Sequence, residues 1–277
     1  MQREKNLKIL TYIIAITFAV FWILPLLWML STSLKPESQV IAWPIEIIPE
    51  EVTFQNFYDI IFDSPRTPIL RWFFNSFFVS TATTFLVLAV DSLAAYAYAR
   101  LEFKGKNVLF WLLMATMMIP PVTNLIPNYL IMDRLGWIDS YQALIFPQVA
   151  AVFGVFLMRQ FFIGLPSELE DAAFIDGCNR FQIFYIIALP MAKPALIALG
   201  LFTFRASWNA FLWPLIITNS AKMRPLTPGL RLLQSNYMTE FGKLMAGAFI
   251  SAIPVIIIFM VAQKYFVKGI ALTGMKG

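Results

Sequence analysis

Long apolar stretches separated by short polar segments run along the chain. Each of six stretches is about 20 residues or longer, enough for a helix to cross about 30 Å of hydrocarbon. They cover roughly residues 9–31, 72–99, 108–131, 142–163, 191–218 and 245–267. The pattern predicts an all-α, polytopic membrane protein with a six-span region over 9–267, an N-terminus at 1–8 and a tail at 268–277.

Composition supports this interpretation. The 277 residues are 59% hydrophobic and only 13% charged, whereas soluble domains are about 25% charged. Basic residues are scattered singly through the loops and form no stripe, so no nucleic-acid partner is predicted.

The titratable residues exclude several kinds of chemistry. The chain has no histidine, and Cys178 is its one cysteine. An intrachain disulfide, a CxxC or HExxH metal site and a catalytic histidine are therefore excluded. We predict no metal site, no cofactor and no enzymatic activity in this chain.

Lysine and arginine positions predict the orientation. An even number of spans places both termini on the same side of the membrane. If that side is the cytoplasm, the cytoplasmic segments hold more Lys and Arg than the outer segments. The short loop ARLEFKGK is especially basic. The positive-inside rule therefore predicts cytoplasmic termini and a cytoplasmic location for residues 164–190.

Residues 32–71 form the long outer segment of this topology. The segment is acidic and contains proline, and its sequence is compatible with a small extracytoplasmic cap or with a solvated loop. Several spans also contain proline, which kinks membrane helices and suits a protein that changes shape.

Residues 164–190, here called the charged segment, interrupt the apolar pattern, and residues 168–190 within it read ELEDAAFIDGCNRFQIFYIIALP. Ser167 and Glu170 have the spacing of a capping box and predict a helix start. Gly177 is placed to end that helix in the left-handed conformation, and Asn179 with Gln182 can cap a second helix that stops near Pro190. We predict a helix, a glycine turn and a second helix.

The surface of the charged segment favours a protein partner. Ala172 and Ala173 leave low relief for close approach of another backbone, and the acidic residues keep the surface wet until a partner covers it. The alternative is an interfacial helix, but such helices normally carry Lys and Arg, whereas anionic lipid would repel the acids that begin this one.

A spaced signature lies within the charged segment: Asp171-Ala172-Ala173, then Gly177, Ile187 and Leu-Pro at 189–190. It resembles the EAA signature of ABC importer permeases, in the sugar-uptake branch typified by the second, smaller maltose permease subunit. The resemblance extends over nearly the whole chain through STSLKPES, WFFNSFF, AAYAYARLEFKGK, MMIPPVTNLIPNYLIMDRLGWIDSYQALI, WNAFLWPLIIT and KYFVKGIALTGMKG.

The resemblance implies that the charged segment is a cytoplasmic coupling segment. In the family this helix pair docks on an ATP-hydrolysing subunit, whose closure moves the membrane helices. The docking residues implied are Glu170, Asp171, Ala172, Ala173 and Gly177. Asp171 replaces the usual Glu, which keeps the charge and shortens its reach, so Glu170 is a candidate to share its task.

The tail carries a second candidate contact with the ATPases. Its GIALTG run has two glycines spaced as in a P-loop, but Met275 follows Gly274 where Lys-Ser or Lys-Thr is needed, so ATP binding is not predicted. In resembling permeases the tail reaches between the ATPase subunits, which makes Gly274 and Lys276 candidate contacts. A disordered tail remains the alternative.

Two charged residues, Asp91 and Arg205, lie inside predicted spans. Each would cost about 2.5–3.5 kcal/mol near a bilayer centre, so neither is expected to face lipid. They could pair with each other or line a wet path. The resemblance places Arg205, Trp208 and Asn209 on the substrate path, although Trp near a membrane boundary is also an ordinary anchor.

The outer loop 219–244 is cationic. In the resembling subunit the equivalent loop contacts the substrate-binding protein, and the alternative is a solvated connection.

The chain is therefore expected to be a permease subunit of a binding-protein-dependent importer for a sugar, an oligosaccharide or a related polyol. It would reside in the prokaryotic plasma (inner) membrane and pair with a homologous second permease, two ATPase subunits that bind ATP and Mg, and an extracytoplasmic binding protein. The alternative is an ion-driven secondary transporter, which needs buried acids, and Asp91 is the one available in the spans.

Overall fold

The computed structural model describes residues 2–44, 46–62, 67–234 and 240–273, and the elements in these ranges are α-helices with short 3-10 and π segments, joined by loops. The α-helices are α1 (Gln2–Ser33), α2 (Glu37–Val40), α3 (Gln55–Phe62), α4 (Ile69–Arg100), α5 (Lys106–Ala115), α6 (Leu125–Arg134), α7 (Tyr141–Ile145), α8 (Val152–Ile163), α9 (Ser167–Ile175), α10 (Arg180–Ile183), α11 (Leu189–Met191), α12 (Lys193–Trp208), α13 (Leu212–Ile217), α14 (Leu226–Leu230) and α15 (Phe241–Thr273).

Apolar helices of membrane-crossing length occur in two forms. Within the described ranges, 3 single helices are long and apolar enough to cross a membrane, and the number rises to 6 if each bent pair is one span. The single helices are Glu4–Ser33, Ile69–Arg100 and Phe241–Lys264. The bent pairs are Lys106–Thr116 with Pro121–Arg134, Tyr141–Gln148 with Val152–Ile163, and Arg180–Met191 with Lys193–Trp208.

The bends fall where the backbone cannot continue a helix. The first pair bends by 93° at Pro120 and the extended residue before it, as expected because proline excludes the helical conformation of its predecessor. The second bends by 45° at Ala150, whose φ is +67°. The third bends by 77° next to Pro194, at the start of α12. The first two bends lie inside the predicted spans 108–131 and 142–163, which contain proline and are expected to kink, and the third lies at the start of the predicted span 191–218.

The predicted fifth span, 191–218, shows the largest departure. Its helix α12 ends at Trp208, and residues 209–211 are not helical before α13 begins at Leu212. The prediction that the second helix of the charged segment stops near Pro190 is confirmed, because the helical backbone continues through a π turn, Phe184–Ala188, and ends with α11 at Met191.

The chain divides into two compact units: Met1–Arg71 with Gly229–Pro254, and Trp72–Pro228 with Val255–Gly277. In the second unit, α4, α8 and α12 surround a core of Val87, Met158, Phe162 and Leu199. The aromatic ring of Tyr96 contributes to the same core. This core underlies the charged segment.

In the first unit, residues 34–44 and 46–62 are folded back on the end of α1. The Asn56 side-chain amide donates to the carbonyls of Ser33, at 2.9 Å, and Lys35, at 2.8 Å. The Glu37 carboxylate accepts from the backbone N–H groups of Phe241, at 2.8 Å, and Gly242, at 2.9 Å, where the positive end of α15 favours an anion. These bonds hold the described part of the outer segment in a defined conformation, and the choice between an extracytoplasmic cap and a solvated loop stays open.

Candidate functional site

The first helix of the charged segment begins where the sequence predicts it, but by a different cap. Pro166 is the N-cap of α9, and no side chain caps the helix. Ser167 is already helical, so the predicted Ser167–Glu170 capping box is wrong. The missing N–H of proline costs nothing at a helix start. Because Glu170 takes no part in capping the helix, its side chain is free to point elsewhere.

The glycine turn is confirmed. Gly177 has a φ of +87°, and its N–H bonds to the carbonyl of Phe174 at 3.0 Å. The N–H of Cys178 bonds to the carbonyl of Ala173 at 2.9 Å. This pair of bonds is a Schellman motif, which satisfies the last carbonyls of α9 and reverses the chain.

The predicted second cap is also confirmed. The Asn179 side chain accepts from the Gln182 N–H at 2.9 Å, and the Gln182 side chain accepts from the Asn179 N–H at 2.7 Å. The reciprocal bonds fix where α10 begins. The charged segment is thus a helix, a glycine turn and a second helix, with each junction closed by hydrogen bonds.

One side of the charged segment is anchored in the core. Ala173, Ile183 and Phe184 are buried. The ring of Tyr96, on the last turns of α4, lies 5.2 Å from that of Phe184 and 5.7 Å from that of Phe162, measured between centroids. Such aromatic contacts favour one arrangement of the three elements.

Glu170 belongs to this anchored side. It is 7% exposed, and its Oε1 lies 3.2 Å from Nε of Arg100, the last residue of α4. Arg100 also donates through Nη2 to the carbonyl of Leu165. Glu170 therefore holds the charged segment to α4, and its burial leaves it no surface for a share in docking.

The opposite side of the charged segment is exposed. Asp171, Ala172 and Gly177 lie on it, and Ile175 at the turn is 86% exposed. The Arg180 guanidinium covers the ring of Phe174 at 4.1 Å. Of the predicted docking residues, the structure brings these three to one face and buries Ala173 and Glu170. Ile175 was missed, although an apolar pair directly before Asp-Gly was a signal for it.

The predicted substrate-path residues do not share an environment. Trp208 is 1% exposed and packs between the rings of Phe73, at 5.4 Å, and Phe204, at 5.7 Å. Its indole is a core element and is not accessible to a ligand in this conformation. Arg205 and Asn209 are exposed, and Arg205 borders an open groove lined by apolar residues of α12 and α15.

Asp91 does not pair with Arg205. Both of its carboxylate oxygens are buried without a hydrogen-bond partner in the described part of the chain. A Cβ at Gly154 would overlap this carboxylate, which therefore lies against the first turn of α8. The structure therefore gives Asp91 a buried packing position against α8.

A buried polar network ties the loop 219–228 to the first turns of α4. The Asn75 amide donates to the carbonyls of Lys222, at 2.8 Å, and Arg224, at 3.0 Å. The Asp139 carboxylate accepts from the N–H groups of Asn219, at 2.9 Å, and Ser220, at 3.0 Å. Burial acts to raise the pKa of Asp139, but the bonds from Ser220 and Asn219, with the charge of Arg224, outweigh it and lower that pKa.

The tail candidates Gly274 and Lys276 lie outside the described residues, as do residues 235–239 of the outer loop. Among the residues that are described, no group of three or more His, Cys, Asp or Glu side chains is placed to hold a metal ion.

Comparison with known proteins identifies the family. Residues 92–272 match the family described as "Binding-protein-dependent transport system inner membrane component". The arabinooligosaccharides transport system permease protein AraQ of Bacillus subtilis is 37% identical over 94% of this chain and 92% of that protein. The sn-glycerol-3-phosphate transport system permease protein UgpE of Yersinia pestis is 32% identical over 98% of both.

A solved structure has the same fold. It is the crystal structure of a bacterial ABC transporter involved in the import of the acidic polysaccharide alginate, and one of its chains superposes with a TM-score of 0.84. The alignment covers 96% of this chain and 98% of that chain at 24% identity.

Proposed function

The chain belongs to the family of binding-protein-dependent transport system inner membrane components, and on that premise we propose that it is one of two homologous permease subunits in an ATP-driven importer. Its substrate is a sugar, an oligosaccharide or a related polyol. The names of two relatives support this class, since one is an arabinooligosaccharide permease and the other an sn-glycerol-3-phosphate permease.

The observation that carries the proposal is the two-sided charged segment. One side is fixed to α4 through Glu170 and Phe184, and the other exposes Asp171, Ala172, Ile175 and the turn at Gly177. A helix pair held this firmly moves with the membrane helices when a partner pushes on its free face. The free face docks on an ATP-hydrolysing subunit, and the exposed Asp171 carboxylate is available to a basic residue there.

Chemistry and transport are divided between subunits. Two partner ATPases bind ATP and Mg, and this chain supplies no cofactor and no catalytic residue. The chain transmits their closure to its helices, and the broken spans allow these to alternate between inward and outward access. Tail residues Gly274 and Lys276 contact the ATPases as well.

The orientation follows from the basic loops. Both termini and the charged segment face the cytoplasm of a prokaryotic cell, and the cationic loop that begins at residue 219 faces outward. There it contacts the extracytoplasmic substrate-binding protein. Exposed Arg205 and Asn209 border the substrate path, and the second permease covers the apolar groove beside Arg205.

An ion-driven secondary transporter is disfavoured by the position of Asp91. A coupling acid has to be reached by its ion from a wet path, whereas the Asp91 carboxylate is enclosed against Gly154. ATP-driven uptake and ion-driven uptake also differ in their inhibitors, which separates the two functions experimentally.

The test is purification of the tagged chain from membranes that contain all subunits. We expect a soluble ATPase and a second permease to co-purify, vanadate-sensitive ATP hydrolysis by the complex, and none by the tagged chain alone. Uptake into proteoliposomes should stop with vanadate and persist with a protonophore. A chain that purifies alone from these membranes and transports in the absence of ATP would refute the proposal.

A further inference from the structure

Among the described residues of the second unit, helix α4 is the one uninterrupted helix of membrane-crossing length. From Trp72 to Arg100 it spans about 42 Å at 1.5 Å per residue. It contains neither proline nor glycine, whereas the long helices α1 and α15 contain Pro25 and Pro254. Because proline and glycine are the usual sites of helix kinks, α4 is built to transmit displacement along its length.

The C-terminal end of α4 holds the charged segment. Arg100 contacts it twice, at the carboxylate of Glu170 and at the carbonyl of Leu165. Four residues earlier, Tyr96 packs against Phe184. These contacts span both helices of the charged segment, so the segment cannot shift without moving the end of α4.

The N-terminal end of α4 holds the loop 219–228. Trp72, Asn75 and Ser76 lie on one face of the helix, as residues at these spacings do. The Trp72 indole N–H donates to the carbonyl of Ala221 at 2.7 Å, and Ser76 Oγ accepts from the N–H of Leu226 at 2.8 Å. Between them is Asn75.

Asn75 is the centre of this attachment. It is 0% exposed, and its amide bonds two carbonyls of the loop, those of Lys222 and Arg224. Its Oδ1 accepts from the Tyr141 hydroxyl at 2.7 Å. A buried amide with all of these bonds fixes the loop backbone, because leaving any of them unmade is costly.

We propose that α4 is a rigid link between the charged segment and the loop 219–228, with Arg100 and Asn75 as the positioning residues at its two ends. The proposal rests on the proposed function, since it takes the charged segment to be the face that docks on the ATPase. Nucleotide-driven movement of that segment then displaces the loop at the other end of the helix, where the binding protein docks. The same link carries the effect of binding-protein docking back to the ATPases.

Trypsin cleavage after Lys222 tests the link in the purified complex. Lys222 has an exposed side chain on the loop, and cleavage there is quantified by mass spectrometry with and without nucleotide trapped by vanadate. For the wild type we expect the rate to differ about fivefold or more between the two states, the size of a typical coupling. In Asn75→Ala we expect about tenfold faster cleavage without nucleotide, because the two buried bonds that hold the loop are lost together with the bond from Tyr141, and no dependence on nucleotide.

Two further variants keep the test decisive. Ser76→Ala removes a single bond and should give an intermediate nucleotide dependence, even if Asn75→Ala does not fold. Asn56→Ala removes a matched buried amide that also bonds two carbonyls, in the first unit, and should leave the nucleotide dependence as in the wild type. Unchanged dependence in Asn75→Ala and Ser76→Ala, or equal loss in Asn56→Ala, would overturn the link.

Two results with the wild-type complex distinguish a failure of the rigid link from a failure of the proposed function. A wild-type complex that hydrolyses ATP but shows no effect of trapped nucleotide at Lys222 overturns the rigid link alone. A wild-type chain that retains no ATPase overturns the proposed function and, with it, the link.

Discussion

At the residue scale, two glycines illustrate different physical requirements. Gly177 needs its positive φ to reverse the chain, and a Cβ there would meet nothing within 4 Å. Gly154 has ordinary backbone conformation, but a Cβ would overlap the Asp91 carboxylate. Gly177 is thus fixed by backbone conformation and Gly154 by packing, and sequence pattern can identify only the first kind.

Replacing Gly177 with valine should disrupt docking. A β-branched residue in the left-handed region costs about 1–2 kcal/mol, which the short α9–α10 turn can avoid only by changing shape. We expect ATPase retention in a pull-down to fall at least severalfold while the amount of chain in the membrane is unchanged.

Gly136→Val is the matched control. Gly136 also has a positive φ, +66°, with open space around its Cβ position, but it lies outside the charged segment. Equal loss of ATPase with both variants would point to general strain, and full retention with Gly177→Val would contradict a docking role for the turn.

At the element scale, the charged segment separates two neighbouring acids into opposite roles. Glu170 faces inward to Arg100, whereas Asp171 is exposed. Helical geometry causes this, since adjacent residues point about 100° apart around the axis. The resemblance to the family alone placed both acids at the docking surface.

We expect the two acids to give different mutant phenotypes. Glu170→Ala leaves the partly buried Arg100 guanidinium without its carboxylate and should lower the thermal stability of the chain, by roughly 1–3 kcal/mol of unfolding free energy. Asp171→Ala should weaken ATPase binding while the melting temperature stays close to that of the wild type.

The charge swap provides the control. Arg100→Glu with Glu170→Arg should recover part of the stability lost in either single variant, although the Leu165 carbonyl then lacks its guanidinium donor. Equal melting temperatures for Glu170→Ala and Asp171→Ala would contradict the assignment.

At the scale of the whole molecule, the charged segment lies between apolar segments of membrane-crossing length. The side of the membrane on which it lies decides whether the proposed function is possible. A docking surface for a soluble ATPase works only in the cytoplasm. The single cysteine of the chain, Cys178, lies partly exposed beside the Gly177 turn and provides a natural probe for that location.

A membrane-impermeant maleimide should label Cys178 in inside-out vesicles and leave it unlabelled in intact cells. Vesicles stripped of peripheral ATPases expose the site, and Cys178→Ser gives the background. Efficient labelling in intact cells would reverse the predicted orientation and place the charged segment where no ATPase can reach it.

The sequence by itself determined the features that depend on local or compositional physics. Apolar length and charge depletion predicted the all-α membrane fold, the position of a glycine at a helix end predicted the turn at Gly177, and the spacing of Asn179 and Gln182 predicted the second cap. The spacing around Asp171 indicated the family, which the comparisons support.

Tertiary structure alone decided which groups meet. Hydropathy measures apolar length, and although proline predicts kinks in several spans, neither signal locates a bend set by a single residue such as Ala150. Whether Glu170 faces inward, whether Trp208 is core or surface, and which loop Asn75 holds depend on residues tens of positions away in sequence. Those partners are chosen by packing and by the cost of leaving buried polar groups unpaired, which no local pattern encodes.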